Sequence, residues 1–343
     1  MILTIMGTRP QYVKCAVLRS VYEEAGIKEV LLDTGQHYES DMSTGIFEQL
    51  NVPAPDIKLA LGGQSQCKTI GTMIIELEHI VENLRPAAVV VLGDTNSTLA
   101  GALVAKRLGI RLFHIEAGLR SFDKTMPEEQ NRVMTDHLSD LLFCPTSSAF
   151  ENLYNEGIIR SAYLTGDVML DAALRYKRSF KPPESIPKSV LKQDFDLVTL
   201  HRAEALSSKS DLEARLSFIK ESSLSPTRIF MLHPHTERKL REFSISTDGF
   251  LRIGPQGYLE TQWLLSNAHH LFTDSGGLQK EAFFHKCQTT TIRSTTEWPE
   301  TVLGGTNRLW SGEELKDQRN YQSNPFGEGD AGSKIAALIK STL

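Results

Sequence analysis

The sequence predicts an α/β protein made of two open parallel-sheet units, and three observations carry that prediction. At 343 residues the chain exceeds one typical core, so two units of about 150 to 170 residues each are expected. In both halves short apolar runs alternate with amphipathic helical patterns, the mark of buried parallel strands with helices on both faces. Most of the apolar runs also lead into small and polar residues, and ligands of open α/β sheets bind beyond the carboxyl ends of the strands.

The apolar opening from Met1 to Met6 lacks a basic flank and stops at Gly7, so it reads as a first strand and not a targeting segment. Strands are predicted next at 29–33, 88–92, 111–115, 141–144 and 162–164, and the longest helical pattern covers 67–84. The proline-rich stretch from Lys181 to Pro187 reads as surface just after the crossover into the second unit. Beyond it, strands are expected at 196–200, 228–232, 251–253, 270–273 and 289–292, with helices over 211–223, 258–266 and 278–286. Residues 324–329 form a turn and 333–340 a final short helix. Domains are therefore placed at 1–168 and 169–330, followed by a terminal helix at 331–343.

Composition narrows the function. With 40% hydrophobic and 23% charged residues the chain resembles an ordinary globular protein, and a net charge of -5 argues against general nucleic-acid or membrane-surface binding. No apolar stretch reaches the 18 or so residues of a membrane span. The four cysteines (Cys15, Cys67, Cys144, Cys287) show neither CxxC nor zinc spacing and are expected to be reduced thiols of a cytoplasmic protein. GxGxxG with a following acid, GxxxxGK[ST], HExxH and GxSxG are all missing, which counts against nicotinamide-dependent oxidation, P-loop chemistry, zincins and α/β-hydrolases.

What remains is chemistry at strand ends. Asp274, Ser275, Gly276 and Gly277 join an apolar run to a helix, where unpaired amides, the helix dipole and two glycines suit a phosphate; a turn capped by Ser275 is the plainer alternative. Asp94 follows the 88–92 strand as a catalytic carboxylate or as a helix cap. Glu116 ends the 111–115 strand and is followed by Ala117 and Gly118, which offer it no partner, so a raised pKa and a proton-shuttle role are expected. Glu128 sits behind Pro127 at a helix start, where catalysis and ordinary capping compete. His201 and His233 end strands of the second unit, and His37 follows Gly35 and Gln36 in the first. Arg9, Lys14, Arg120 and Arg132 are the cations a diphosphate needs. Together these groups imply two sheets whose strand ends face a shared cleft. They suit acid–base work on a sugar carried by a nucleoside diphosphate, which needs no redox cofactor.

These blocks run in one order along the whole chain. They are Gly7-Thr8-Arg9-Pro10 with Lys14, then Gly93-Asp94-Thr95, His114 to Arg120, Pro127-Glu128-Glu129 with Asn131-Arg132, His201-Arg202 with Glu204, Asp274 to Gly277 with Gln279 and Glu281, and Asn324 to Gly327. In this the chain resembles the non-hydrolysing UDP-N-acetylglucosamine 2-epimerases. The resemblance implies two Rossmann-like domains facing a central cleft in a glycosyltransferase-B arrangement, with the terminal helix returning to the first domain. It implies anti elimination of UDP to a 2-acetamidoglucal and re-addition with inversion at C2. Carried over by motif, the catalytic residues are Asp94, Glu116, Glu128 and His201. The UDP-binding residues are Arg9, Lys14, Arg132, His233, Ser275, Gly276, Gly277 and Glu281. No metal or cofactor is implied, and a homodimer is.

The chain departs from the family pattern at Ala205, His235, Lys280 and Trp298. Several of its blocks look more like the subgroup that acts on UDP-2,3-diacetamido-2,3-dideoxyglucuronate. Lys280 reads either as a cation for a substrate carboxylate or as a solvated helix charge. Thr72 stands where substrate-activated bacterial members carry arginine, so activation by a second substrate molecule is not implied. Hydrolysing epimerisation, glycosyl transfer and UDP-sugar binding without turnover stay open as alternatives.

Overall fold

The computed structural model describes residues 1–36, 40–202, 204–310 and 324–343. His37 and Ala203, both within motifs singled out above, lie outside the described residues. Two compact units are present, Met1–Arg175 with Asn324–Leu343, and Tyr176–Ser323.

The first unit opens with β1 (Ile2–Met6), α1 (Arg9–Glu24), β2 (Glu29–Asp33), α2 (Ser40–Gln49), β3 (Ile57–Lys58) and α3 (Gln66–Leu84). It continues with β4 (Ala88–Leu92), α4 (Asn96–Arg107), β5 (Arg111–Ile115), α5 (Pro127–Leu138), β6 (Leu141–Cys144), α6 (Ser147–Asn155), β7 (Ala162–Leu164) and α7 (Val168–Tyr176). Its seven strands are parallel in the order β3-β2-β1-β4-β5-β6-β7. Chain direction across the sheet reverses between β1 and β4, which pair from Ile2 with Ala88 to Ile5 with Val91. Both strands are wholly buried, which is why they read as unbroken apolar runs. Met73, Leu77 and Val81 recur every fourth residue on α3 and pack with Val104 of α4 against Leu3, Ile5, Val89 and Val91.

The second unit contains β8 (Phe195–Thr199), α8 (Lys209–Ser222), β9 (Thr227–Met231), α9 (Pro234–Glu242), β10 (Leu251–Ile253) and α10 (Tyr258–Asn267). Then come β11 (His270–Thr273), α11 (Gly276–Phe284), β12 (Gln288–Thr291), α12 (Pro299–Leu303) and β13 (Asn307–Leu309). These six strands are also parallel, in the order β10-β9-β8-β11-β12-β13, and the reversal falls between β8 and β11. Consecutive residues feed opposite faces. Val198, Phe230 and Phe272 pack on Leu212, Leu216 and Ile219 of α8, while Leu197, Ile229 and Leu271 pack on Leu264 and Leu265 of α10.

The last helix, α13 (Ala331–Thr342), belongs to the first unit and packs against α1 through a face that includes buried Ile335, Ala336 and Ile339. Helix α7 belongs there as well, where the sequence reading placed it beyond a boundary at 168. The cause is Asp171, whose carboxylate accepts the Ala331 and Gly332 amides at 3.2 and 2.7 Å and so ties α7 to the start of α13. Among the described residues no helix is long and apolar enough to cross a membrane.

Candidate active site

Both reversal points bear polar loops at the carboxyl ends of their strands, where open α/β sheets bind ligands. In the first unit Gln11 stitches the two central strands together. Its Oε1 accepts the Gly7 and Thr8 amides at 2.7 and 3.1 Å, and its Nε2 donates to the Leu92 carbonyl at 2.7 Å and the Thr95 hydroxyl at 3.0 Å. Close approach requires Gly7, because a Cβ there would lie 2.2 Å from Thr34 Oγ1 and 2.3 Å from Ser97 Oγ.

Asp94 follows β4, and Thr95, not Asp94, caps α4, its hydroxyl accepting the Thr98 amide at 3.3 Å. The Asp94 carboxylate instead meets the guanidinium of Arg132, which also donates to Glu129 Oε2 at 2.6 Å. Glu129 in turn accepts the amides of Ser121 and Phe122, each at 2.9 Å. Asn131 donates to the Asp94 carbonyl at 2.9 Å. Asp94 is thus fixed by a clamp built from α5 and the loop before it.

Glu116 does have a partner, contrary to the reading of its neighbours: Lys14 Nζ lies 2.7 Å from Glu116 Oε2. Lys14 comes from α1, far away in sequence. Glu116 is held at φ +69°, a left-handed conformation that costs a non-glycine residue about 1–2 kcal/mol, and its amide and that of Ala117 both donate to Phe143 O at 3.1 Å. Gly93 makes room for the pair, since a Cβ would stand 3.3 Å from Glu116 Oε1. Glu128 lies half-buried in the first turn of α5, and among the described residues it has no ion-pair partner. Arg9 opens α1 and is half-buried.

Arg120 is drawn elsewhere. It joins Asp136 at 2.7 Å and Glu156 at 2.7 Å in a buried network that also contains His114, whose Nδ1 lies 2.7 Å from Asp136 and whose Nε2 lies 2.7 Å from the Gly93 carbonyl. That network stands directly beneath the loop bearing Asp94.

In the second unit Ser275 occupies the N-cap position of α11 but makes no side-chain cap bond, and Ser275, Gly276 and Gly277 are half-exposed. Asp274 is fully buried and turns back to β8, accepting the amides of His201 and Arg202. His233 caps α9 through Nδ1, which accepts the His235 amide at 3.2 Å, and its ring lies 6.0 Å from that of His201. Glu281 is held by the side-chain amide of Gln262, whose Oε1 faces His285 Nε2 at 2.8 Å. A cavity of about 350 Å³ beside Asp274 is lined by Arg202, Arg293 and Trp310 among others.

The sequence profile of UDP-N-acetylglucosamine 2-epimerases matches residues 19–340. The chain belongs to that family. A UDP-N-acetylglucosamine 2-epimerase homolog of Methanococcus maripaludis is 40% identical, with 99% of each chain covered. The UDP-2,3-diacetamido-2,3-dideoxy-D-glucuronate 2-epimerase of Pseudomonas aeruginosa is also 40% identical, over 98% of this chain and 99% of that one. The crystal structure of the Methanocaldococcus jannaschii UDP-GlcNAc 2-epimerase in complex with UDP-GlcNAc and UDP matches with a TM-score of 0.88 at 38% identity, covering 99% of this chain and 100% of that one. The protein is therefore an isomerase of the UDP-N-acetylglucosamine 2-epimerase type, with two parallel-sheet domains of the glycosyltransferase-B kind.

In this epimerase Lys280 is not a solvated helix charge. It is 3% exposed and its ammonium lies 4.4 Å from the centre of the Trp298 ring. Trp298 is itself buried, its Nε1 3.9 Å from where a Cβ on Gly276 would be, so the pair shapes the start of α11. Glu129, Asp136, Gln11 and Glu297, which takes two bonds from Arg293 at 3.0 and 2.9 Å, were not singled out as functional from sequence. Glu129 carried a signal through its place in the Pro127-Glu128-Glu129 block, and Gln11 through being a polar residue in the first turn of a helix just past a strand end.

Proposed function

We propose that this epimerase inverts C2 of a UDP-linked N-acetylated sugar by eliminating UDP and adding it back. The observation that carries the reading is the pair of carboxylates at the ends of adjacent strands, Asp94 and Glu116, each held by its own cation, Arg132 and Lys14. The N-terminus of α11, with Ser275, Gly276 and Gly277, holds the diphosphate, and Glu281 is a further UDP contact. Arg9, Lys14, Arg132 and His233 complete the UDP contacts. As the C1–O bond breaks, its electron pair leaves with the diphosphate and the cationic C1 acidifies the C2 proton. Asp94 or Glu116 takes that proton, leaving a 2-acetamidoglucal and UDP. UDP oxygen then re-bonds to C1 while a proton, assisted by Glu128, is delivered to the other face of C2. His201 stabilises the charge on the departing diphosphate. The M. jannaschii enzyme solved with UDP-GlcNAc supports a substrate of this class, and the P. aeruginosa relative extends it to the 2,3-diacetamido-uronate.

Incubation in D₂O with UDP-GlcNAc and, separately, with the 2,3-diacetamido-uronate analogue, followed by NMR at C2, tests the reading. Deuterium at C2 together with the epimeric UDP-sugar is expected for one of the two. Accumulation of free sugar and UDP, or turnover without exchange at C2, rules out the proposed route. Asp94→Asn and Glu116→Gln should each slow exchange by about 10²-fold or more, the scale of general acid–base catalysis.

A further inference from the structure

The geometry around His201 shows how its ring is held. His201 follows β8 and Asp274 follows β11, the two strands at the reversal of the second sheet, where Thr199 pairs with Thr273. Asp274 is fully buried. Its Oδ2 accepts the His201 amide at 2.8 Å and the Arg202 amide at 2.9 Å, while Oδ1 lies 3.1 Å from His201 Nδ1. Among the described residues Oδ1 has no hydrogen-bond partner: the His201 ring nitrogen stands within ion-pair distance but is not aligned as a hydrogen bond. An enclosed carboxylate oxygen left unsatisfied beside a ring nitrogen favours a proton on that nitrogen, since a small rotation of the ring then supplies the missing bond. The His233 ring lies 6.0 Å away and tilted, with its Nδ1 accepting the His235 amide, so it does not substitute for Asp274.

We propose that Asp274 is the positioning residue for His201: it keeps a proton on Nδ1 and offsets the charge of the imidazolium, whose Nε2–H then donates to the substrate diphosphate. The loop amides fix where the ring stands and Oδ1 fixes which nitrogen faces outward, the division of labour by which a buried aspartate orients a catalytic histidine in hydrolytic triads. Burial alone would raise the Asp274 carboxyl. The His201 ring and the two amides outweigh burial and hold it below the usual carboxylate range, so it is ionised whenever the ring needs it. Asp274 therefore leaves phosphate binding to Ser275, Gly276 and Gly277. This inference rests on the role given to His201 above.

Asp274→Asn tests it. The new amide oxygen can still accept both loop amides, while its NH₂ donates to Nδ1 and drives the ring proton to Nε2. With ¹⁵N-histidine labelling, His201 of the wild-type chain should show a protonated Nδ1, and the variant an unprotonated one. The variant should lose about 10²-fold or more in kcat with KM changed less than about threefold. In a His201→Ala background the same substitution should lower kcat no further, because it acts through the ring. An unprotonated Nδ1 in the wild type overturns the proposal without any variant, as does wild-type kcat in Asp274→Asn or multiplicative losses in the double variant. Full activity of His201→Ala overturns the role of His201 instead, and the ring-nitrogen spectra still decide what Asp274 does.

Discussion

Arg132 shows what one side chain contributes to this site. Its planar fork reaches Asp94 with one nitrogen and Glu129 with another, so the carboxylate proposed as catalytic and the Ser121–Phe122 loop are tied to one residue. Phe122 sits at φ +60° with its side chain 75% exposed, a conformation the loop keeps because Glu129 Oε1 accepts its amide. A lysine at 132 has one compact ammonium and does not bridge two carboxylates. Arg132→Lys should therefore lower kcat by about tenfold or more while the fold, followed by circular dichroism, is retained. Wild-type kcat in that variant would mean that Asp94 needs no clamp. Asp94 and Glu116 were legible in the sequence because each follows a strand end. Their pairing with cations was not, since Lys14 and Glu116 meet only after β1 and β5 have been placed in one sheet.

At the scale of elements, β5, α5 and α6 are joined by charge as much as by apolar packing. Fully buried Asp136 on α5 faces His114 of β5, accepts from Arg120 at 2.7 Å and takes the Gly118 amide at 3.1 Å, while Arg120 reaches Glu156 just past α6. Burial acts to raise the Asp136 carboxyl, but His114 and Arg120 hold it below the usual range. Its folded form therefore binds a proton less readily than the unfolded chain does. The stabilisation is complete above the ordinary carboxylate pKa and is lost as pH falls through the lower folded value. Asp136→Asn leaves the enclosed Arg120 guanidinium facing a neutral amide and should cost about 3–5 kcal/mol in urea unfolding near neutrality. The difference from wild type should shrink on acidification; a gap that stays constant to low pH would show that the network's charge is not what stabilises α5. No sequence pattern announced Asp136, because a polar residue on a surface-type helix looks the same whether it faces water or a buried arginine. The central strands were legible because burial on both faces makes them apolar runs. The edge strands β3 and β13 escaped, being two and three residues long with Lys58 and Arg308 in them.

Across the whole molecule the same parallel topology appears twice, yet the two units place their buried titratable groups differently. The repeated alternation of strand and helix made both sheets legible, whereas the boundary between units was not, since it depends on α13 coming back to Asp171 from the far end of the chain. In the first unit Glu29 is pushed up to about 7, chiefly by burial, with its Oε1 accepting the Thr4 hydroxyl at 2.6 Å. In the second, burial pushes His270 and His285 down to about 4. The signs oppose. Glu29 has a folded pKa above its unfolded value of 4.5, so its contribution is full below that value and is lost as pH rises toward 7. Each histidine has a folded pKa below its unfolded value of 6.5, so its contribution is full above 6.5 and is lost as pH falls toward 4. Acidification from pH 7 to 4.5 should therefore weaken the second unit while Glu29 supports the first. Hydrogen exchange of the full chain, read separately for amides of β1 and β8, should show protection falling on acidification in β8 more than in β1. Glu29→Gln should flatten the contribution in the first unit, and His270→Gln with His285→Gln that in the second. Parallel loss of protection in both strands, unaltered by these substitutions, would show that these three groups do not set the pH response of either unit.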